Sequence, residues 1–214
     1  MNKKYKRVAF DIDNTLTVLQ PTLDLMAETF GCLPYSEDDI TSFRLSDAYN
    51  ITREEELDFW HTKEEQICSQ SVFALNRISN ILETYTEEDC EFLYVTARDK
   101  AYTEATISWL VSVGLPAGKI LLLGKESKMA AIQEFGAEAV FEDNPDFFEE
   151  WETKQLKDKF DAYCIHYPYN ASSPATEHIC RHTGLPLSDS LKSEFEDVPV
   201  PKSFFYGLEA IKGD

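Results

Sequence analysis

Five short runs rich in strand-forming residues constrain this chain more than any other feature: Val8–Asp11, Phe92–Thr96, Ile120–Leu123, Val140–Asp143 and Tyr163–His166. All but the third end in a polar or acidic residue. Between most of them lie stretches of helical periodicity, including Tyr102–Val113 and Lys128–Phe135, followed by Gly114 and Gly136 as stop signals. Near-continuous apolar strands alternating with helices indicate a parallel sheet covered on both faces. The predicted class is α/β.

The spacing is uneven at one place. About eighty residues separate the first run from the second, against roughly thirty in an ordinary βαβ unit. That interval, about Val18 to Asp89, reads as helical throughout, over Pro21–Phe30, Ser36–Tyr49, Thr52–Ser69 and Ala74–Tyr85. Thr52 and Glu55 match a capping box at the start of the third stretch. A structureless loop of that length is improbable, so the interval is expected to be an inserted helical subdomain. The expected division is a core of residues 1–17 and 90–214 with an insertion of residues 18–89.

After Asn170 the pattern weakens into a polar, proline-punctuated segment, with Phe204, Phe205, Tyr206 and Leu208 as candidates to pack a last helix.

Composition excludes some classes of function. With 43% apolar and 28% charged residues, the chain reads as an ordinary globular protein. No apolar run approaches the ~20 residues that span a bilayer, and Asp11 and Asp13 interrupt any signal-peptide core. Five scattered cysteines without a C-x-x-C pair fit free thiols in a reducing compartment. These features predict a cytoplasmic protein. A formal charge of −19 disfavours a nucleic-acid polymer as partner but allows a small anion held by a metal ion and a few cations.

The chemistry-bearing residues gather at the ends of the expected strands. Asp11 and Asp13 are two positions apart, so in a continuing strand both carboxylates would face the same way. At a strand end they could share one cation, which lowers the cost of holding like charges together. Such strand ends are where open α/β sheets bind ligands. Asn14 tolerates the left-handed backbone of a tight turn.

Thr96 offers a hydroxyl to a phosphate oxygen, and Lys128 opens a helix, where a cation is unfavourable unless an anion sits beside it. Glu142 and Asp143 end a further strand in acid. Taken singly, each has a bland reading as a turn, a solvated lysine or a helix cap ahead of Pro145. Their joint occurrence in this order does not.

This order resembles the haloacid dehalogenase-like (HAD) hydrolase superfamily, whose four motifs fall at successive strand ends. Asp11-Ile12-Asp13-Asn14-Thr15 resembles the first motif, with asparagine where glycine is usual; Thr96 resembles the second, Lys128 the third, and Glu142-Asp143 the fourth. The likeness spans Lys6 to about Asn170. It implies a Rossmann-like core with a central parallel sheet and a helical C1-type cap inserted between strands 1 and 2.

It also implies Asp11 as nucleophile and Asp13 as acid–base. Thr96, Ala97 and Lys128 would hold the phosphate, and Asp11, Asp13 (through its carbonyl) and Asp143 would hold Mg²⁺. Lys125 competes with Lys128 for the third-motif role, Glu142 ranks below Asp143 as a ligand, and Asp146 is a candidate helix cap.

Tyr94-Val95-Thr96-Ala97-Arg98, Phe141-Glu142-Asp143-Asn144-Pro145-Asp146 and Tyr167-Pro168-Tyr169-Asn170 are similar to the branch of 5'(3')-deoxyribonucleotidases and YqfW-type nucleotidases. The implied substrate is a small phosphomonoester, foremost a nucleoside monophosphate, with sugar phosphates as the runner-up. Phe43, Tyr49, Phe59, Trp60 and Phe73 of the insertion are aromatic enough to meet a base, although such residues more often build their own core.

Three rival readings remain. A non-catalytic HAD scaffold has no evident need for the full motif set. A receiver-type domain would carry its aspartate after the third strand rather than the first. Zinc binding at His178-Ile179-Cys180-Arg181-His182 lacks a fourth nearby ligand.

Overall fold

The computed structural model describes residues 3–124 and 126–187. Lys125 and the expected last helix around Phe204–Leu208 lie outside the described residues. Six parallel strands form one sheet: β1 (Tyr5–Phe10), β2 (Thr86–Thr96), β3 (Lys119–Leu122), β4 (Ala139–Glu142), β5 (Asp161–His166) and β6 (Glu177–Cys180). Their spatial order is β3-β2-β1-β4-β5-β6, so the chain winds outward from β1 to β3 and then returns to the other side of β1. That reversal opens a crevice beyond the carboxyl ends of β1 and β4, the place where such sheets bind ligands.

Strand alternation supplies two cores. Val8 and Phe10 face one side with Phe141, Tyr163 and Ile165, while Ala9 faces the other with Val140, Ala162 and Cys164. On the first side the rings of Tyr94, Phe10, Phe141 and Tyr163 stack across four neighbouring strands; Phe10 and Phe141 lie 5.0 Å apart and Phe141 and Tyr163 4.9 Å apart. Burying both faces explains why these strands are almost uninterruptedly apolar.

Four helices lie between β1 and β2: α1 (Gln20–Phe30), α2 (Leu45–Tyr49), α3 (Arg53–Gln70) and α4 (Leu75–Tyr85). The Thr52–Glu55 capping box forms in both directions, with Thr52 N–H donating to Glu55 Oε2 at 2.8 Å and Glu55 N–H to Thr52 Oγ1 at 3.2 Å. The stretch Ser36–Tyr49 is not one helix, contrary to its periodicity. It divides into a 3-10 turn, Glu37–Asp39, and the short α2, because Ile40 is extended and Ser42 takes the Arg44 N–H on its own hydroxyl. β2 also begins earlier than its apolar run, at Thr86, where pairing with β1 draws the acidic residues before Phe92 into the strand.

The core continues with α5 (Thr103–Ser112), α6 (Lys128–Phe135) and α7 (Pro145–Thr153). β6, which the weakened pattern hid, runs beside β5 with Cys164 opposite His178. The His178–Cys180 segment is therefore strand, and among the described residues the single group of three or more candidate metal ligands is Asp11, Glu142 and Asp143. No described helix is long and apolar enough to cross a membrane.

Candidate active site

β1 delivers Asp11 to the crevice, and the Asp11 N–H extends the sheet by donating to the Phe141 carbonyl at 3.0 Å. The chain then turns sharply through Asn14, at φ 60°. Thr17 Oγ1 accepts the Asn14 N–H at 2.9 Å, and Arg77 of α4, fully buried, closes the turn from behind. Its Nη1 donates to the carbonyls of Asn14, Thr15 and Thr17, and its Nε to that of Arg181. The guanidinium thus satisfies backbone oxygens that would otherwise be buried without partners.

β4 brings Glu142 and Asp143 alongside. Asn144, rather than Asp143, caps α7 by accepting the Asp146 N–H at 2.9 Å, which leaves Asp143 to face the crevice. Lys128, the first residue of α6, places Nζ 2.5 Å from Asp11 Oδ1 and 2.8 Å from Glu142 Oε2. Glu142 Oε1 accepts the N–H groups of Asp143 and Asn144, so both of its oxygens are engaged.

Two carboxylates therefore grip one ammonium, with a third, Asp143, beside them. Burial and the charge of Glu142 push the Asp11 carboxyl well above its ordinary range, against the pull of Lys128. Burial and Glu142 likewise lift Asp143, to about 7, although hydrogen bonds from Tyr169 and Asn14 oppose the rise. Burial works against the Lys128 charge, but Asp11 and Glu142 more than offset it and hold the amine above the usual lysine range.

The oxygen-only donors of Asp11, Glu142 and Asp143 lie within 4.8 Å of one another, a set suited to a hard divalent cation. Lys128 takes Asp11 Oδ1, and Tyr169 and Asn14 take Asp143 Oδ2, which leaves the other oxygen of each for a cation.

Asp13 behaves differently from its neighbours. Its carboxylate lies 3.3 Å from Thr96 Oγ1 and is gripped by Arg98, with Nη2 2.7 Å from Oδ1 and Nε 3.0 Å from Oδ2. Burial alone would raise this carboxyl, but the charge and hydrogen bonds of Arg98 outweigh it and hold Asp13 below the ordinary carboxylate range. All of Asp11, Asp13, Thr96, Ala97, Lys128, Glu142 and Asp143 line one cavity of about 300 Å³. Its far wall comes from the inserted segment, through Phe43, Arg44, Arg53 and Trp60. Tyr49 and Phe59 are buried in the core instead.

Solved structures share this fold. A conserved haloacid dehalogenase-like protein from Agrobacterium tumefaciens superposes with a TM-score of 0.55 at 13% identity, covering 90% of this chain and all of the other. A "putative phosphoglycolate phosphatase" from Lactobacillus plantarum gives 0.54 at 16%, covering 88% and 99%. At such identities the likeness establishes the fold. No family model matches the chain. The "Putative nucleotidase BH1399" of Halalkalibacterium halodurans is 33% identical over 146 residues, covering 67% of this chain and 72% of that protein. This chain belongs to the HAD-like nucleotidases. The "Putative nucleotidase YqfW" of Bacillus subtilis is 28% identical over 138 residues, covering 64% and 70%.

Within this HAD-like phosphatase, the contacts of several site residues escaped sequence reasoning. Asn170 donates from Nδ2 to the Asp143 carbonyl at 2.7 Å and to the Ile165 carbonyl at 2.9 Å. Tyr167 donates to the Asn14 carbonyl at 3.0 Å. The Pro168–Asn170 turn is thus a brace between β5, the Asp143 segment and the turn after β1. Its Pro-Tyr-Asn signature was visible in the sequence, whereas its contacts were not. Arg98 was visible only as the last residue of the Tyr94–Arg98 stretch, and Arg77 gave no signal.

Proposed function

We propose that this phosphatase is a Mg²⁺-dependent nucleotidase that hydrolyses nucleoside monophosphates through an aspartyl-phosphate on Asp11. The observation that carries the reading is that one cavity is lined both by Asp11, Asp13, Thr96 and Lys128 and, from the inserted segment, by Phe43 and Trp60 with Arg44 and Arg53. A phosphate fits the first chemistry and a flat, polar-edged base fits the second. The relatives named as nucleotidases support the same substrate class.

In the first step Asp11 attacks phosphorus in line while Asp13, which has to take up a proton against the hold of Arg98, passes it to the leaving oxygen. Lys128, the Thr96 hydroxyl and the Ala97 backbone stabilise the phosphoryl oxygens. In the second, Asp13 takes a proton from the water that hydrolyses the acyl-phosphate. Held by the carboxylates of Asp11 and Asp143 and the carbonyl of Asp13, Mg²⁺ would supply positive charge between nucleophile and phosphate. The residues inserted between β1 and β2, 18–85, act as a cap on the sheet, excluding water from the acyl-phosphate.

The test is phosphate release with Mg²⁺ from a panel of nucleoside monophosphates, sugar phosphates and p-nitrophenyl phosphate, with Asp11→Asn beside wild type. Selective release from nucleotides that vanishes in the variant supports the proposal. Selective release from a sugar phosphate keeps the mechanism and discards the substrate. Wild-type turnover by Asp11→Asn discards the mechanism.

A further inference from the structure

Arg98 is a nearly fully buried cation two residues beyond the strand-end threonine, at 4% exposure. It stands behind Asp13, outside the residues that line the 300 Å³ cavity. Its guanidinium forks onto both carboxylate oxygens of Asp13, a bidentate geometry that fixes direction as well as distance. Two further donors are also used. Nη1 donates to Thr106 Oγ1 of α5 at 3.2 Å, and Nη2 to Ser71 Oγ, just past the end of α3, at 3.0 Å. Trp109 packs its ring 5.7 Å from the guanidinium and donates from Nε1 to the Ser71 carbonyl at 2.8 Å. A carboxylate that is 39% exposed is therefore aimed by a buried cation that the inserted helices and the core hold jointly.

We propose that Arg98 is the positioning residue of the Asp13 acid–base group, and that Ser71 makes this positioning depend on the inserted helices. The inference rests on Asp13 having the acid–base role given above. Arg98 reaches neither the phosphate nor the leaving group; it sets where the Asp13 oxygens stand when a proton moves. Hydrolysis of the aspartyl-phosphate needs Asp13 whatever the leaving group, so an activated ester reports the effect while leaving measurable turnover in weakened variants.

The experiment is a double-mutant cycle on kcat and KM for p-nitrophenyl phosphate with Mg²⁺, using Asp13→Asn, Arg98→Lys and the pair. Arg98→Lys is expected to lower kcat about 10–100-fold and to change KM less than about threefold, because the lysine keeps the charge but loses the fork. In the Asp13→Asn background the same substitution should cost less than about twofold. Ser71→Ala, which keeps Arg98 intact, should show a smaller fall with the same dependence on Asp13, and it carries the test if Arg98→Lys fails to fold.

Equal losses in both backgrounds would overturn the proposal and make Arg98 a packing residue. Unchanged kcat in both Arg98→Lys and Ser71→Ala would also overturn it. Wild-type turnover by Asp13→Asn would remove the acid–base reading, and this inference with it.

Discussion

Tyr169 donates its hydroxyl to Asp143 Oδ2 at 2.6 Å, joining the turn after β5 to the acidic end of β4. The hydroxyl fixes the rotation of the carboxylate and leaves Oδ1 toward the cavity. Partners of this kind commonly change metal affinity about 10–100-fold when removed. Tyr169→Phe should therefore raise the Mg²⁺ concentration for half-maximal phosphate release by about tenfold, with kcat at saturating metal nearly kept. A Mg²⁺ titration of both proteins checks this, and an unchanged midpoint would contradict it.

Asp11, Glu142 and Asp143 cluster three buried acids, and the ammonium of Lys128 pairs with two of them, Asp11 and Glu142. Removing one acid while Lys128 keeps Glu142 relieves like-charge repulsion. Metal-free Asp11→Asn should melt roughly 2–5 °C above wild type while losing turnover. Mg²⁺ at ten times its dissociation constant should stabilise wild type by about 1.4 kcal/mol and the variant by less. Calorimetry with and without Mg²⁺ decides this; a variant that melts lower without metal would count against it.

Gly184, at φ 75°, lies against the backbone of Arg77, and a Cβ there would run into the Arg77 carbonyl oxygen. Neither backbone can yield easily, because Arg77 is bound to the turn after β1 and to Arg181. Gly184→Ala should cost roughly 2–4 kcal/mol, a fall of roughly 4–16 °C in melting temperature. A scan showing a change under about 2 °C would refute the close approach.

His166 and His178 face each other across β5 and β6, with their Nδ1 atoms 3.3 Å apart and Arg181 nearby. Burial, then His178 and Arg181, hold His166 below its ordinary 6.5. The unfolded chain therefore binds this proton more readily, and stability falls as pH drops through about 6.5 toward the folded value. Replacing His166 with Gln should flatten the acid side of the melting profile between about pH 6.5 and 5 relative to wild type. Superimposable slopes would show that other groups govern the acid side.

The strand-end pattern made the positions of Asp11, Thr96, Lys128 and Asp143 legible, because each lies at or just past the end of a strand or opens a helix whose period is written locally. The α6 boundaries and the Thr52 cap were readable for the same reason. Ser36–Tyr49 misled because its apolar spacing suits a helix, while Ser42 competes for the backbone. β6 was hidden because a four-residue edge strand with two histidine- or cysteine-bearing positions carries little β signal before β5 lies beside it.

By itself the sequence determined the alternation of strands and helices, the apolar faces and the order of the acidic and basic residues along the chain. Tertiary structure alone decided which of them meet. The return of the chain across β1 sets β4 beside it and so brings Asp143 to Asp11, over a hundred residues away. It also set Arg98 on Asp13, Arg77 under the Asn14 turn, and Tyr169 on Asp143. Periodicity is a property of neighbours in the chain, whereas these contacts depend on sheet order and on buried polar groups finding partners.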